Sequence, residues 1–439
     1  MLTVPGLVAG EEIEGEDRFV DLDPSTGTPF AEVARLGAPA VDRAVDAART
    51  AFETAVRRHG AEQRSGLLRR LADLIRRDAA RLAELECRDV GKPLRQAQAD
   101  VSVTARYFDF YAGVLRGVHG DTLPPTDGAV AFTRREPFGV TGHITPWNYP
   151  LQMLARTVAP ALAAGNCCVL KPAEDSPVTA VEIARLAGEA GFPPGMFNVV
   201  PGLGPEAGAA LAAHPGVDHL SFTGSRPVGT SIATAAAANV VPVVLELGGK
   251  SPNLVFADAD LDHAVPLIVN AITQNCGQTC SAGSRVLVHE SRHDELVGRV
   301  RERFEAMSIG PGLDDPDLGP LINARQRERV ATMVGRARAD ARLVTGGAAP
   351  DGAGLGAGFY FRPTLFDHVP VESELGQEEV FGPVLAVSAF RTDEEAVRMA
   401  NATDYGLVAA VWTRDVGRGA PPRRPRGAGP GGGETTPGP

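Results

Sequence analysis

Two residues of complementary chemistry stand thirty-four positions apart: Glu246, in Leu245-Glu246-Leu247-Gly248-Gly249-Lys250, and Cys280, in Gly277-Gln278-Thr279-Cys280. A thiolate adds readily to a carbonyl carbon and later leaves from a thioester, and a carboxylate can take the proton from the water that cleaves that thioester. The pair predicts covalent chemistry on a carbonyl compound, with Cys280 making the bond and Glu246 ending it. Cys276 is a rival nucleophile one helical turn earlier. A papain-like use of either thiol needs a histidine base with its orienting Asn or Asp, and none of the nine His lies in a recognisable motif. His289-Glu290-Ser291-Arg292-His293 spells the HExxH zinc-peptidase string, whose mechanism requires both His on one helical face. Here His289 reads as the end of a strand at 285–288 and Ser291 as the N-cap of the next helix, so no metal is expected.

The elements around these residues read as an α/β protein. Val41, Val45, Ala48, Phe52 and Val56 recur at helical spacing after Pro39, as do Leu67, Leu68, Leu71, Leu74 and Ile75, so the N-terminal third is expected to be mostly helical. From Gly139 short apolar runs alternate with helical patterns, with strands at 140–144, 167–170, 197–200, 219–222 and 241–245. This rhythm predicts a doubly wound parallel sheet whose ligands bind at the carboxyl ends of the strands. A second α/β segment follows Gly249, with strands at 253–256 and 285–288, and Cys280 falls in the loop before the latter. The expected division is 1–245 for N-terminal helices and a dinucleotide-binding domain, with a bridging hairpin near 120–137, then 246–415 for a catalytic domain. Residues 416–439 are rich in Gly, Pro and Arg with hardly a large apolar side chain, and are expected to be disordered.

Composition narrows the partners. Lys plus Arg number 43 against 54 Asp plus Glu, a net charge of −11, which argues against nucleic acid and anionic membrane surfaces and leaves small molecules. No apolar run approaches the roughly 18 residues of a membrane span, and the acidic N-terminus is unlike a signal peptide, so the expected compartment is the cytoplasm. Five cysteines without metal-ligand spacing fit reduced thiols, with Cys167 and Cys168 packed in a buried strand.

ELGGKSPN at Glu246 to Asn253, GQTCSAGSR at Gly277 to Arg285, TPWNYP at Thr145 to Pro150, KPAED at Lys171 to Asp175, FTGS at Phe222 to Ser225 and EEVFGPV at Glu378 to Val384 together resemble the aldehyde dehydrogenase superfamily, in its order and over residues 20–415. The resemblance implies NAD-dependent oxidation of an aldehyde to a carboxylic acid through a thiohemiacetal and a thioester on Cys280. Asn148 would donate to the oxyanion, and Glu246 marks the hydrolytic branch, in which water rather than coenzyme A or phosphate accepts the acyl group. Lys171 and Glu174 would meet the adenosine ribose. A carboxylate there repels a 2′-phosphate, which favours NAD over NADP. Gly224, Ser225 and Gly229, at the start of a helix, would take the pyrophosphate, while Thr145, Pro146, Trp147, Leu247, Glu379 and Phe381 complete the cofactor contacts. Gly202 to Gly208 is a looser glycine pattern expected to be a plain turn.

On the substrate side the resemblance places Arg156 at the aldehyde entrance. The succinate-semialdehyde branch has Arg there, paired with a second Arg where this chain has Gln274. A guanidinium suits a carboxylate, so a polar or anionic aldehyde is expected, and Thr157 stands where many relatives have Lys. The family's continuation after Val408–Trp412 is not recognisable in 416–439, which has the composition of a GC-rich frame read out of register. The C-terminal part of the family fold, and with it part of a family-like homodimer or homotetramer contact, is therefore expected to be missing. The alternative is an inactive or unstable truncated homologue that at most binds dinucleotide.

Overall fold

Helices form where apolar side chains repeat along one face and bury it. Ala38–Thr54 buries Val41, Ala44, Val45, Ala48 and Ala51, and Ala61–Arg77 buries Leu67, Leu68, Leu71 and Ile75. In the computed structural model, which describes residues 1–124, 128–351 and 355–419, these helices and Leu94–Val114 pack beside a seven-stranded sheet. Five of its strands are parallel: Val140–Ile144, Cys167–Lys171, Phe197–Val199, His219–Thr223 and Val243–Glu246. The first lies at the centre, the next two step outward on one side and the last two on the other. The chain therefore reverses direction between Val140–Ile144 and His219–Thr223, and the crevice beyond their carboxyl ends is where doubly wound sheets take ligands. Both central strands carry β-branched and apolar residues, because helices cover both faces.

The helix after the central strand, Pro150–Ala164, starts with Pro at its first turn and stops at Gly165, whose φ of 97° only glycine adopts readily. Leu151, Leu154, Val158 and Leu162 on its inner face are fully buried, each stabilising the fold by about 1.5–3 kcal/mol. Gln152, Met153, Arg156 and Thr157 lie on the other face, partly exposed.

A second sheet orders its strands Arg342–Thr345, Thr364–Asp367, Val384–Phe390, Arg285–His289, Pro252–Val255 and Ala410–Trp412, all parallel except the first pair. Arg285–His289 is central in it. The loop that carries Cys280 thus enters a strand held on both sides, by Val384–Phe390 and Pro252–Val255.

The first 35 residues correct the expectation of a mostly helical N-terminal third. Leu2–Val4, Thr28–Arg35 and Asp17–Asp23 form a three-stranded sheet, and the hairpin Gly6–Val8 with Glu11–Ile13 extends the large sheet through Leu7 opposite Val199. Leu2–Val4, Gly6–Val8 and Glu11–Ile13 are too short, and Asp17–Asp23 too charged, for alternation to show. In the segment read as a bridging hairpin, Thr122 pairs antiparallel with Phe132, and the Leu123 N–H donates to the Ala131 carbonyl at 2.9 Å; residues 125–127 lie outside the described part. The disorder expected from 416 does not extend to Val416–Gly419, one helical turn capped by Asp415, whose carboxylate accepts from the Gly417 N–H at 2.8 Å. The expected loss of the family's C-terminal elements concerns residues 416–439, of which 420–439 lie outside the described part. Among the described residues no helix is long and apolar enough to cross a membrane.

The central strand also holds a pH-sensitive group. His143 is wholly buried, and desolvation, with a smaller contribution from His219, lowers its pKa from 6.5 to about 3. A group depressed in the folded state stabilises above its unfolded pKa, and that stability is lost as pH falls through the window from 6.5 to about 3. Denaturant unfolding should therefore weaken by about 1.4 kcal/mol per pH unit below 6.5 on account of this residue. His143→Leu should remove that part of the slope. An identical pH slope in the variant would contradict the assignment.

Candidate active site

Four loops converge between the two sheets. The first, Thr145 to Tyr149, joins the central strand to its helix, and the Thr145 N–H donates to the Lys171 carbonyl at 3.2 Å. Asn148 is buried, and its amide nitrogen donates to the Gln278 carbonyl at 2.7 Å. In return Asn275 donates from its side chain to the Asn148 carbonyl at 2.8 Å. Tyr149 adds a hydroxyl contact to Thr279 at 2.8 Å. The PWNYP loop is therefore tied to the residues flanking Cys280 by three separate hydrogen bonds.

The Cys280 loop is held in an unusual backbone. Asn275 and Cys276 sit at φ 47° and 55°, left-handed values that few non-glycine residues adopt. Gly277 has φ +71°, and a Cβ there would lie 2.2 Å from the Gly382 carbonyl. The strain is offset by a frame of side-chain bonds: Asn275 N–H to Gln96 at 2.9 Å, Gln278 to the Asn275 carbonyl at 3.0 Å, and Ile322 N–H to Gln278 at 2.9 Å. This frame makes Asn275 and Gln278 positioning residues that the sequence reading passed over. The signal was there for Asn275, since Asn is among the few residues that tolerate left-handed backbone. Gln278 carried none beyond its place in the motif.

Glu246 ends its strand at the crevice and lies within electrostatic reach of the Cys280 thiol. Val243–Glu246 lies at the edge of the large sheet, opposite His219–Thr223, and the Gly224 N–H donates to the Glu246 carbonyl at 3.0 Å. Three residues on, the chain passes so close to Cys280 that a Cβ at Gly249 would stand 2.5 Å from the Cys280 carbonyl. Glycine is required for that approach. Cys280 is partly exposed, whereas Cys276 is buried and its thiol is raised far by desolvation. Burial likewise raises the Cys280 thiol, with Glu379 and Glu246 adding to the rise and Arg156 and the Ser281 N–H opposing it. Cys167 and Cys168 are fully buried in their strand with raised pKa values, far from reactive thiols.

The residues expected to hold a dinucleotide are distributed along the crevice. Lys171 ends its strand buried and donates to Glu174 at 2.8 Å. Burial would raise the Glu174 carboxyl, but Lys171 and the backbone N–H groups of Glu174 and Gly204 prevail and lower it. Gly204–Gly208 is thus more than the plain turn expected of it: it forms one wide helical turn leading into Ala209–Ala213. Ser225 stands at the N-cap position of the helix Arg226–Ala237 without a side-chain bond to it, and Gly229 of that helix packs against Leu247 so tightly that a Cβ would meet it at 2.7 Å. At the far end the Glu379 carboxylate accepts from the Gly249 N–H at 3.0 Å, and its pKa is raised by burial. Phe381, at φ 57°, meets Trp147 edge-on at 5.3 Å between ring centres. A carboxylate beside Lys171, the N-terminus of a twelve-residue helix and an aromatic pair are groups of the kind a dinucleotide needs.

Arg156 stands on the outer face of Pro150–Ala164 and its guanidinium lies 3.2 Å from the Glu246 carboxylate. Gln274 opens the short turn Gln274–Gly277 and is partly buried. Thr157 donates back to the Met153 carbonyl at 3.2 Å, so it serves its own helix. Lys250, unremarked beyond its motif, is fully buried with an unpartnered ammonium nitrogen, and desolvation lowers its pKa to about 7. The HExxH string is split as expected between a strand ending at His289 and a helix His293–Glu305, but Ser291 is not the helix cap: it lies in the turn Glu290–Arg292, and its N–H is accepted by His289 at 3.3 Å.

Against known proteins, the aldehyde dehydrogenase family model matches residues 12–421. Human retinal dehydrogenase 2 is 44% identical over 407 residues, covering 91% of this chain and 78% of that protein. Among solved structures, a putative aldehyde dehydrogenase from Burkholderia cenocepacia superposes with a TM-score of 0.93 at 50% identity, covering 94% of this chain and 88% of the other. A betaine aldehyde dehydrogenase from Staphylococcus aureus in complex with NAD+ gives the same TM-score at 36% identity, covering 95% and 84%. With its fold, its motifs in register and this match along nearly all its length, the chain belongs to the aldehyde dehydrogenase family.

Proposed function

We propose that this protein oxidises an aldehyde to its carboxylic acid, with NAD as acceptor and Cys280, Glu246 and Asn148 as its catalytic residues. The observation that carries the reading is the close approach of Gly249 to the Cys280 carbonyl, which sets the segment following Glu246 against the Cys280 loop. NAD, when bound, supplies the hydride acceptor. The crevice residues Thr145, Pro146, Trp147, Lys171, Glu174, Gly224, Ser225, Gly229, Leu247, Glu379 and Phe381 would hold it, and Glu174 disfavours the 2′-phosphate of NADP by charge.

The Cys280 thiolate adds to the aldehyde carbon. One hydrogen of the Asn148 amide is engaged by the Gln278 carbonyl, and the other would be given to the developing oxyanion. Loss of hydride from the adduct leaves a thioester on Cys280. Glu246 then takes a proton from water, the hydroxide adds to the thioester carbonyl, and the acid leaves as Cys280 departs as thiolate. Asn148→Ala should lower kcat by about 10²–10³ without a matching change in thermal midpoint; unchanged kcat would remove Asn148 from the mechanism. A homo-oligomer belongs to the same reading, supported by Val244 on the edge strand and Phe132 in the paired segment, which are 48% and 69% exposed. A cytoplasmic location also belongs to it. An aldehyde panel read by NADH absorbance, run beside size-exclusion chromatography, tests the whole: a nucleotide-binding but inert species would favour the truncated-remnant alternative.

A further inference from the structure

The ion pair between Arg156 and Glu246 occupies one oxygen of the proposed base. Its carboxylate is engaged 3.2 Å from a guanidinium, whereas deacylation needs that carboxylate free to accept a proton from water. Both side chains remain a third or more exposed, at 40% and 33%, so the pair is open to exchange by a solute. Arg156 also acts on the Cys280 thiol, against Glu246 and Glu379, which places it within electrostatic reach of any group held on that sulfur. A guanidinium has five N–H donors in a fixed fork and binds a carboxylate bidentately.

We infer that Arg156 is a substrate-operated latch on Glu246: an aldehyde carrying its own carboxylate takes over the guanidinium, and the released Glu246 deprotonates the hydrolytic water. This deepens the proposed function and rests on its assignment of Cys280 and Glu246. An acyl group without a carboxylate leaves the latch closed and is hydrolysed slowly. In either case the bonds are those of ordinary thioester hydrolysis: water adds to the acyl carbon, its proton passes to Glu246, and the carbon–sulfur bond breaks to return the Cys280 thiolate. Arg156 thereby becomes both a positioning and a specificity-determining residue.

The test uses the full chain with two aldehydes of equal length, one ending in a carboxylate and one in its methyl ester, in wild type, Arg156→Gln and Arg156→Lys. Wild type should turn over the carboxylated aldehyde steadily, and give the neutral one a burst of one NADH per site followed by a slow phase. Arg156→Gln should lose on the order of tenfold or more in kcat/KM for the carboxylated aldehyde and should speed the slow phase of the neutral one. Arg156→Lys should retain part of the preference. A dinucleotide-free arm uses the p-nitrophenyl ester of a short uncharged acid, which acylates Cys280 directly. Its nitrophenolate burst should persist in Arg156→Gln while the steady rate rises. Equal losses for both aldehydes with an unchanged ester steady rate would overturn the latch. NADH formation from no aldehyde would instead sink the parent reading, and the ester arm would still decide whether Arg156 restrains Glu246.

Discussion

Cys280→Ala should eliminate aldehyde-dependent NADH formation, with a fall on the order of 10⁴-fold or more. No other described cysteine can replace it: Cys276 is buried, with its thiol raised far by desolvation, and Cys87, Cys167 and Cys168 are likewise buried. Only the thiolate attacks, and the Cys280 pKa lies above its ordinary value because burial and Glu379 outweigh Arg156 and the Ser281 N–H. The rate of alkylation of the free enzyme by iodoacetamide should accordingly still be rising at pH 9, and Cys280→Ala should abolish that labelling at neutral pH. Dinucleotide binding, followed by quenching of protein fluorescence, should survive in the variant. Retained NADH production would remove the sulfur from the reaction.

Glu246→Gln should separate the two halves of the reaction. The amide keeps the size of the side chain but cannot take a proton, so acylation proceeds once and hydrolysis stalls. Stopped-flow absorbance should show a burst of one NADH per site, followed by turnover lowered by about 10²–10⁴-fold. Mass spectrometry of the quenched protein should find the acyl group on the peptide containing Cys280. If Glu246 served only the edge of its strand, the variant would turn over at the wild-type rate with no burst. Loss of the burst itself would place Glu246 in acylation instead.

Much of this architecture was legible in the linear chain. The alternation of apolar runs and helical patterns after Gly139 predicted the parallel sheet because its inner strands are buried on both faces and read as short, largely apolar runs. The N-terminal strands were not legible: Glu11–Ile13 and Asp17–Asp23 are rich in acids, and they are strands because Gly6–Val8 and Thr28–Arg35 offer them partners, a circumstance no local pattern records. The HExxH string shows the opposite failure, a motif whose letters are correct and whose backbone, strand then turn, forbids the chemistry.

By itself the sequence determined which side chains could react and the order in which they arrive, since nucleophile, base and amide donor are properties of residue type. The tertiary structure decided what each of them touches. Gly249 against the Cys280 carbonyl, Asn148 bound to Gln278 and Arg156 paired with Glu246 join positions from 31 to 130 residues apart. Contacts of that range depend on how two sheets pack across a crevice, and packing is set by the sum of many burials rather than by any local string.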